Sequence, residues 1–288
     1  MRGSGRAAGM LCAALWLSWP GAGHCVQNEP ADPPVASAEP AAPQPTARPE
    51  IEGAVALMVT YGPEFQGASA RAVSFMPGLF IRYGRFSISS ISGFVTRKDA
   101  DVVRGLSADL LNTEQLRVNF GLRIDRGRDS SDSAALSGIE DARTTLRGRL
   151  LVSRALGDGW SASIRTSGDL LGRGGGWLFD TSISKSFHIA PGAAWSWGAT
   201  ISAASQRYMQ TYFGVTEAGA AATGYPVYTP SAGLRDASLG VDLRGDISER
   251  WVGYIGGSVS RLLGPAQDSP LNTRDTGWTI RSGLAWRF

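Results

Sequence analysis

Few residues of this chain have side chains suited to catalysis, and they are far apart. The only histidines are His24 and His188. His24 falls at the start of the expected mature chain. His188 lies beside a predicted turn, away from the mid-strand wall position that a Ser-His hydrolase would need. No His, Cys and Asp cluster has the spacing of a zinc site. We therefore expect a protein that is not an enzyme and has no cofactor or metal.

Three short motifs resemble functional sites, but for each of them a non-functional interpretation is favoured. Asp125, Asp129 and Asp132 could bind calcium, but their spacing misses the known calcium loop, and a solvated polar hairpin is favoured. Residues 174–176 (GGG) precede a predicted strand and not a helix, so they do not form a phosphate cradle. Residues 244–246 spell the adhesion tripeptide Arg-Gly-Asp at the periplasmic end of a predicted strand, where we interpret it as chance.

Charge gives little support for binding nucleic acid. The chain has 26 Arg and only two Lys, and removal of the expected signal peptide leaves 26 basic against 25 acidic residues. The high isoelectric point therefore reflects near-neutrality and not a basic groove. Six arginines share the predicted inward face of their strands: Arg117, Arg123, Arg147, Arg149, Arg165 and Arg281. Such arginines tune ion selectivity in an open lumen, whereas in a closed one they pair with inward carboxylates such as Asp180 and Asp242.

The elements that would position these side chains are strands of alternating character. In residues 278–288 (WTIRSGLAWRF), Trp278, Ile280, Leu284, Trp286 and Phe288 fall on one parity, and small or cationic residues fall on the other. Successive side chains of a strand face opposite ways, so such a strand has one apolar face. The same alternation predicts strands at 53–61, 70–83, 85–95, 102–111, 115–125, 143–155, 159–168, 176–187, 193–204, 235–246, 250–262 and 277–288.

Three properties of this set predict a transmembrane antiparallel β-barrel, an all-β fold with about 12 strands (10–12). Their lengths suit a tilted membrane crossing, alternate connections are short and long, and aromatic residues gather at strand ends in two girdles. Trp286 and Phe288 end the last strand, in the manner of outer-membrane proteins whose closing strand carries the signal read by the barrel assembly machinery. A terminal strand without a polar tail needs its edge paired, which barrel closure provides.

The first fifty residues have a different composition. Arg2 and Arg6 precede an apolar run and then small residues, which predicts a signal peptide over 1–23. Lipidation of Cys25 is a weaker alternative, because His24 stands where a small residue is wanted. Residues 24–50 are rich in Pro and Ala and predict a disordered periplasmic tether. The barrel would then span 51–288, in the outer membrane of a Gram-negative bacterium.

Residues 207–216 (RYMQTYFGVT) resemble the signature of the MltA-interacting protein (MipA/OmpV) family. The signature residues are Tyr208, Met209, Gln210, Thr211, Tyr212, Phe213 and Gly214. The segments 233–236 (GLRD), 260–264 (SRLLG) and 268–270 (DSP) are similar to later blocks of the family, and 63–67 and 127–132 fit more loosely. The resemblance covers about residues 53–288.

The resemblance implies a non-catalytic scaffold that joins a lytic transglycosylase to a peptidoglycan synthase, with relatives linked to osmotic response and adhesion. The signature itself would be a loop whose aromatic residues pack inside the barrel, or else a direct binding surface. Two other functions remain open. The inward polar faces suit a small diffusion channel, and the external loops suit a surface adhesin or envelope-stress protein.

Overall fold

The computed structural model describes residues 51–91 and 104–288, apart from the side chain of residue 132. The expected signal peptide, Cys25 and the Pro-rich tether lie outside these residues. The described residues form twelve strands: β1 (Ile51–Pro63), β2 (Arg71–Tyr83), β3 (Phe86–Ser89), β4 (Gly105–Asn112), β5 (Leu116–Asp125), β6 (Thr145–Gly157), β7 (Trp160–Asp169), β8 (Trp177–Ala190), β9 (Ala193–Ala204), β10 (Gly233–Asp246), β11 (Trp251–Leu262) and β12 (Thr276–Arg287).

These strands close into an antiparallel barrel in which each strand pairs with its neighbours in sequence. The last strand returns to the first, with Val55 opposite Trp286 and Leu57 opposite Leu284. Closure pairs the backbone groups of both terminal strands, so the sheet has no free edge there. The predicted twelve-stranded barrel is therefore confirmed.

The outer wall of the barrel is apolar, and the inner wall is small or polar. In β12, Trp278, Ile280 and Leu284 are 41%, 47% and 43% exposed, whereas Ala285 on the opposite face is fully buried. The same alternation recurs on the other long strands, because side chains of a strand point to opposite faces. Lipid offers no hydrogen-bond partners, so a protein inside it needs an apolar surface and fully paired backbone groups. The apolar belt and the closure of the barrel meet both requirements.

Connections at the two ends of the barrel differ in length, as the sequence predicts. At one end, the short-turn end, the connections are residues 84–85, 113–115, 158–159, 191–192 and 247–250. At the other, the long-loop end, the fully described connections are 64–70, 126–144, 170–176, 205–232 and 263–275. The main departure concerns the predicted strand 85–95, of which the structure assigns only Phe86–Ser89 to β3, while residues 92–95 lie outside the described part.

The long loops contain short helices that the alternation pattern did not predict. Residues 205–232, expected to be a loop, form α1 (Gln206–Phe213) and α2 (Glu217–Thr223), and α3 (Gly264–Gln267) follows β11. Ser205 and Thr216 begin the first two helices, each side chain accepting a backbone N–H in the first turn. Among the described residues, no helix combines the length and apolar character needed to cross a membrane.

Candidate functional site

Helix α1 carries the sequence signature and packs against the inside of the barrel at the long-loop end. Met209 is fully buried, and Tyr208 and Phe213 are nearly so. They cluster with Ala204 and Leu262, which lie on the inward faces of β9 and β11. The Ser205 Oγ joins the helix to the wall, because it accepts the N–H of Trp177 at 2.9 Å and that of Tyr208 at 3.5 Å. The helix therefore fills part of the long-loop mouth.

Arg147 connects this helix to the barrel wall and to the loop before β8. Its side chain is 2% exposed, and its Nε donates to Asp125 at 2.5 Å. Its two terminal nitrogens donate to the carbonyls of Gly175 at 2.7 Å and Gly176 at 3.4 Å. The guanidinium also lies 5.5 Å from the ring centroid of Tyr208. An arginine with one carboxylate, two carbonyls and an aromatic ring around it is well satisfied despite its burial.

Tyr208 lies between two arginines and against a second tyrosine. The guanidinium of Arg235 lies 5.6 Å from the centroid of the Tyr208 ring, which Arg147 also contacts. The Nη1 of Arg235 donates to the Tyr208 hydroxyl at 3.2 Å. Arg235 itself pairs with the neighbouring Asp236. The ring of Tyr208 stacks on Tyr212 with centroids 4.4 Å apart. Cation–π contacts of this kind are strongest where water is excluded, as at this buried ring.

Arg128 fixes the C-terminal half of α1 from the loop between β5 and β6. It donates to the carbonyls of Tyr212 at 2.8 Å and of Thr211 and Glu140 at 3.4 Å each. Burial lowers the pKa of Arg128, because none of these three acceptors is charged. The hydroxyl of Thr211 donates to the carbonyl of Gly174 at 2.7 Å, which ties the helix to a third loop.

Burial also changes the titration of Tyr212. It raises the pKa of this phenol to about 12, and the negative charge of Asp125 adds to the effect. Tyr212 is therefore neutral across the physiological range, as a ring stacked inside an apolar cluster requires. The stacked tyrosines of α1 thus place aromatic rings against the arginines of the wall.

The loops 64–70 and 263–275 are joined to the same assembly. We call α1 together with the fully described long loops 64–70, 126–144, 170–176, 205–232 and 263–275 the cap. The buried Ser269, after α3, donates to the carbonyl of Phe213 at 2.6 Å. Ile139, Val215 and Leu271, from three different loops, form a buried apolar cluster. The carbonyl of Gly67 accepts the N–H of Thr273 and Arg274 at 2.8 and 3.0 Å. A polar cavity of about 260 Å³ remains between the cap loops, lined in part by Arg128 and Gln210.

The six arginines predicted to face inward all lie on inner-wall positions. Arg117 pairs with Asp109 at 3.0 Å, and Arg165 lies 3.7 Å from Asp180. Arg123 is 3.9 Å from Asp125, the carboxylate that Arg147 also uses. Arg149 donates to the carbonyl of Arg104 at 3.5 Å, and Arg281 stands opposite Thr60 and Gly256.

One expected pairing is wrong. The sequence predicts a lumen arginine as the partner of Asp242, but its carboxylate accepts a hydrogen bond from the hydroxyl of Tyr254, on the neighbouring strand. The tyrosine stands two residues off the direct register partner of Asp242, which is Gly256, and the missing side chain there leaves room for its ring.

The other sequence motifs fall in separate places. Asp125 belongs to the Arg147 pair, Asp129 accepts from Ser131 at 2.8 Å, and Asp132 is in a single 3₁₀ turn with an undescribed side chain. Residues 174–176 lie in the loop before β8, and their carbonyls serve the cap. Residues 244–246 end β10, where Asp246 pairs with Arg287 at 2.9 Å. Within the described part of the chain, no group of three or more His, Cys, Asp or Glu is arranged to hold a metal.

Trp286 and Phe288 lie at the short-turn end, on the outer wall. Their ring centroids are 5.5 Å apart, and Trp286 stands opposite Trp251 on β11. The backbone of Phe288 exchanges two hydrogen bonds with Gly53, of 2.9 and 3.2 Å. The ring of Phe288 lies directly over Gly53, where a β-carbon would approach it to 2.3 Å.

Several residues that hold the cap were not found by sequence reasoning. Arg128 stands in the block 127–132 and Arg235 in the block 233–236, which were noted only as family resemblance. Ser269 stands in the block 268–270, which was also noted only as family resemblance, and Asp169 was not noted at all. Asp169 joins β7 to the cap, since it accepts the N–H of Gly175 at 2.8 Å. Strand parity could have identified these inward carboxylates, because Asp109, Asp125 and Asp169 share the inward parity of the arginines.

The closed barrel, its apolar belt and its capped mouth define an integral β-barrel protein of a membrane. The sequence profile described as "MltA-interacting protein MipA" matches residues 55–288. The chain belongs to this family, and the expected family is confirmed. No curated protein matches the chain.

Solved structures of other barrels show weaker similarity. A NanC porin is 10% identical with a TM-score of 0.44, covering 81% of this chain and 98% of its own. An outer-membrane channel from Pseudomonas putida F1 is 10% identical with a TM-score of 0.42, covering 84% of this chain and 96% of its own. A KdgM porin in complex with disordered oligogalacturonate is 12% identical with a TM-score of 0.40, covering 82% and 99%. With scores below 0.5, these similarities carry no weight for function.

Proposed function

We propose that the protein is a non-catalytic barrel of the Gram-negative outer membrane that serves as a scaffold for peptidoglycan-remodelling enzymes. The partners would be a lytic transglycosylase and a peptidoglycan synthase, both approaching from the periplasm. Membership of a family described by its interaction with MltA carries this proposal. The apolar belt supports insertion in the membrane, and the short turns would face the periplasm, as in other barrels of this kind.

The geometry of the two ends of the barrel supports partner binding at the short-turn end. The long-loop mouth is filled in part by α1, which buried arginines hold to the wall. The short-turn end carries an open groove of about 470 Å³, lined by Glu249, Arg250, Trp286, Arg287 and Phe288. A groove with both signs of charge and two aromatic rings suits a protein surface, since aromatics and arginine anchor most interfaces. Residues 1–23 would be removed as a signal peptide, and residues 24–50 would serve as a tether.

Site-specific photo-crosslinking in cells tests the proposal. Arg250→benzoylphenylalanine places the probe in the short-turn groove, and Ala221→benzoylphenylalanine places it on exposed α2 of the cap. We expect a lytic transglycosylase or a peptidoglycan synthase in the Arg250 product and neither enzyme in the Ala221 product. Recovery of both enzymes from the cap position alone, or of neither enzyme from Arg250, would overturn the proposal.

A second candidate function, a small diffusion channel, is favoured by the polar inner wall. Arg117, Arg123 and Arg165 face inward with their carboxylate partners, as in barrels that conduct ions. Planar-bilayer recordings separate the two functions. The scaffold predicts no conductance steps from the intact barrel, and steps only after residues 206–230 are replaced by a short Gly-Ser linker. Steps from the intact protein, unchanged by that replacement, would favour the channel.

A further inference from the structure

The charged residues on the outer wall differ from those inside. Every Asp and Glu of the described strands lies on an inward position, where most of them meet arginines. At the outward positions of the same strands, the charged residues are all cations: Arg71, Arg154, Lys185 and Arg261. Arg71 and Arg261 lie at the long-loop end, and Arg154 and Lys185 lie in the half of the barrel nearer the short turns.

Arg154 and Lys185 flank Trp160 on three consecutive strands. Arg154 on β6 pairs in register with Ala162 on β7, and Trp160, two residues before Ala162, pairs with Lys185 on β8. With strands about 4.8 Å apart and a rise of about 3.4 Å per residue, the two α-carbons are roughly 12 Å apart. Both side chains are long enough to reach a common point beside the indole of Trp160.

The ammonium of Lys185 is positioned by aromatic rings. Its Nζ lies 5.0 Å from the Trp160 ring and 5.1 Å from the Phe187 ring. Trp160 packs edge-on against Trp197 at 5.4 Å, and Phe187 stacks on Trp195 at 4.4 Å, so the rings that contact the lysine are themselves held in place. Rings of this kind orient a cation without neutralising its charge.

An outward cation on a barrel is unfavourable at the middle of the bilayer and almost neutral at the interface, where the side chain reaches the headgroups. Tryptophan concentrates at the same level. Two cations and an indole N–H donor at one level therefore match a phosphate group, which accepts hydrogen bonds and carries negative charge. We propose that Arg154, Trp160 and Lys185 form a binding site for the phosphate of an anionic glycerophospholipid in the leaflet at the short-turn end.

Native mass spectrometry of the detergent-solubilised, full mature protein tests this site. Phosphatidylglycerol and phosphatidylethanolamine are supplied in turn, and inorganic phosphate is added as a competitor. We expect retention of phosphatidylglycerol over phosphatidylethanolamine. Arg154→Gln or Lys185→Gln should reduce that preference about fivefold, and the double variant about thirtyfold. Arg261→Gln, which removes an outward cation at the opposite end, is the matched control and should leave the preference unchanged.

Equal retention of the two lipids, or a double variant that behaves like the wild type, would overturn the proposal. Displacement of the lipid by millimolar inorganic phosphate would show a site for free phosphate and would overturn the assignment to a lipid. A measurement on the unmodified protein covers the case in which the double variant does not fold. Acetylation of Lys185 in vesicles should be slower with phosphatidylglycerol than with phosphatidylethanolamine alone, and equal rates would contradict the site.

Discussion

The buried pair of Arg147 and Asp125 gives the sharpest test of how the cap is held. In Arg147→Met, the apolar side chain keeps much of the volume, but Asp125 loses its closest partner and the carbonyl of Gly175 loses its donor. Breaking a buried pair by removing one partner costs about 3–5 kcal/mol, because the remaining charge is desolvated without compensation. Arg123 remains 3.9 Å from Asp125, so we expect the lower end, about 3 kcal/mol.

The same carboxylate supplies the matched control. Arg123 also faces Asp125, but its side chain is 38% exposed, against 2% for Arg147. Arg123→Met should therefore cost less than about 1 kcal/mol, the usual range for an exposed pair. Arg147→Met combined with Asp125→Asn should recover part of the loss, because no buried charge is then left unpaired.

Reversible urea unfolding in lipid vesicles, followed by tryptophan fluorescence, measures these differences. A loss of about 3 kcal/mol lowers the folding equilibrium constant by roughly a hundredfold. Equal losses in Arg147→Met and Arg123→Met would refute the role of burial. No recovery in the double variant would show that the charge pair is not what holds this part of the cap.

Three further predictions concern other parts of the molecule. Phe288→Asp should impair barrel assembly, because a charge replaces the ring packed over Gly53, whereas Arg287→Ala should be far milder; heat-modifiable gel mobility of outer-membrane fractions compares the two. Between pH 10 and about 12 the folded protein should lose stability, because the Tyr212 phenol ionises later in the cap than in the unfolded chain, and Tyr212→Phe should reduce that loss in urea unfolding at each pH. Ser269→Ala should cost about 1 kcal/mol in the same unfolding assay, because it removes a buried hydrogen bond to Phe213, and no change would contradict that bond.

The direction in which each strand residue faces could be predicted from the sequence. Side chains alternate along a strand whatever its neighbours are, so Trp278 and Ile280 could be placed outward and Arg281 inward by parity alone. The same local rule, with the turn residues, located the strands and the short and long ends. Helix α1 was missed because two turns are too few for a visible period, although Ser205 is a capping residue.

The partners of the inward charges were decided only by the tertiary structure. In register, Arg147 stands opposite Arg123, and Asp125 stands opposite Thr145, so the pair that forms is a diagonal one across two strands. Such diagonal neighbours depend on the stagger of the strands, which parity does not contain. The burial of Arg147 depends further on α1 and the loop before β8 folding over it. Contacts between segments far apart in sequence have no local signature, so the contacts that form the cap could be identified only from the tertiary structure.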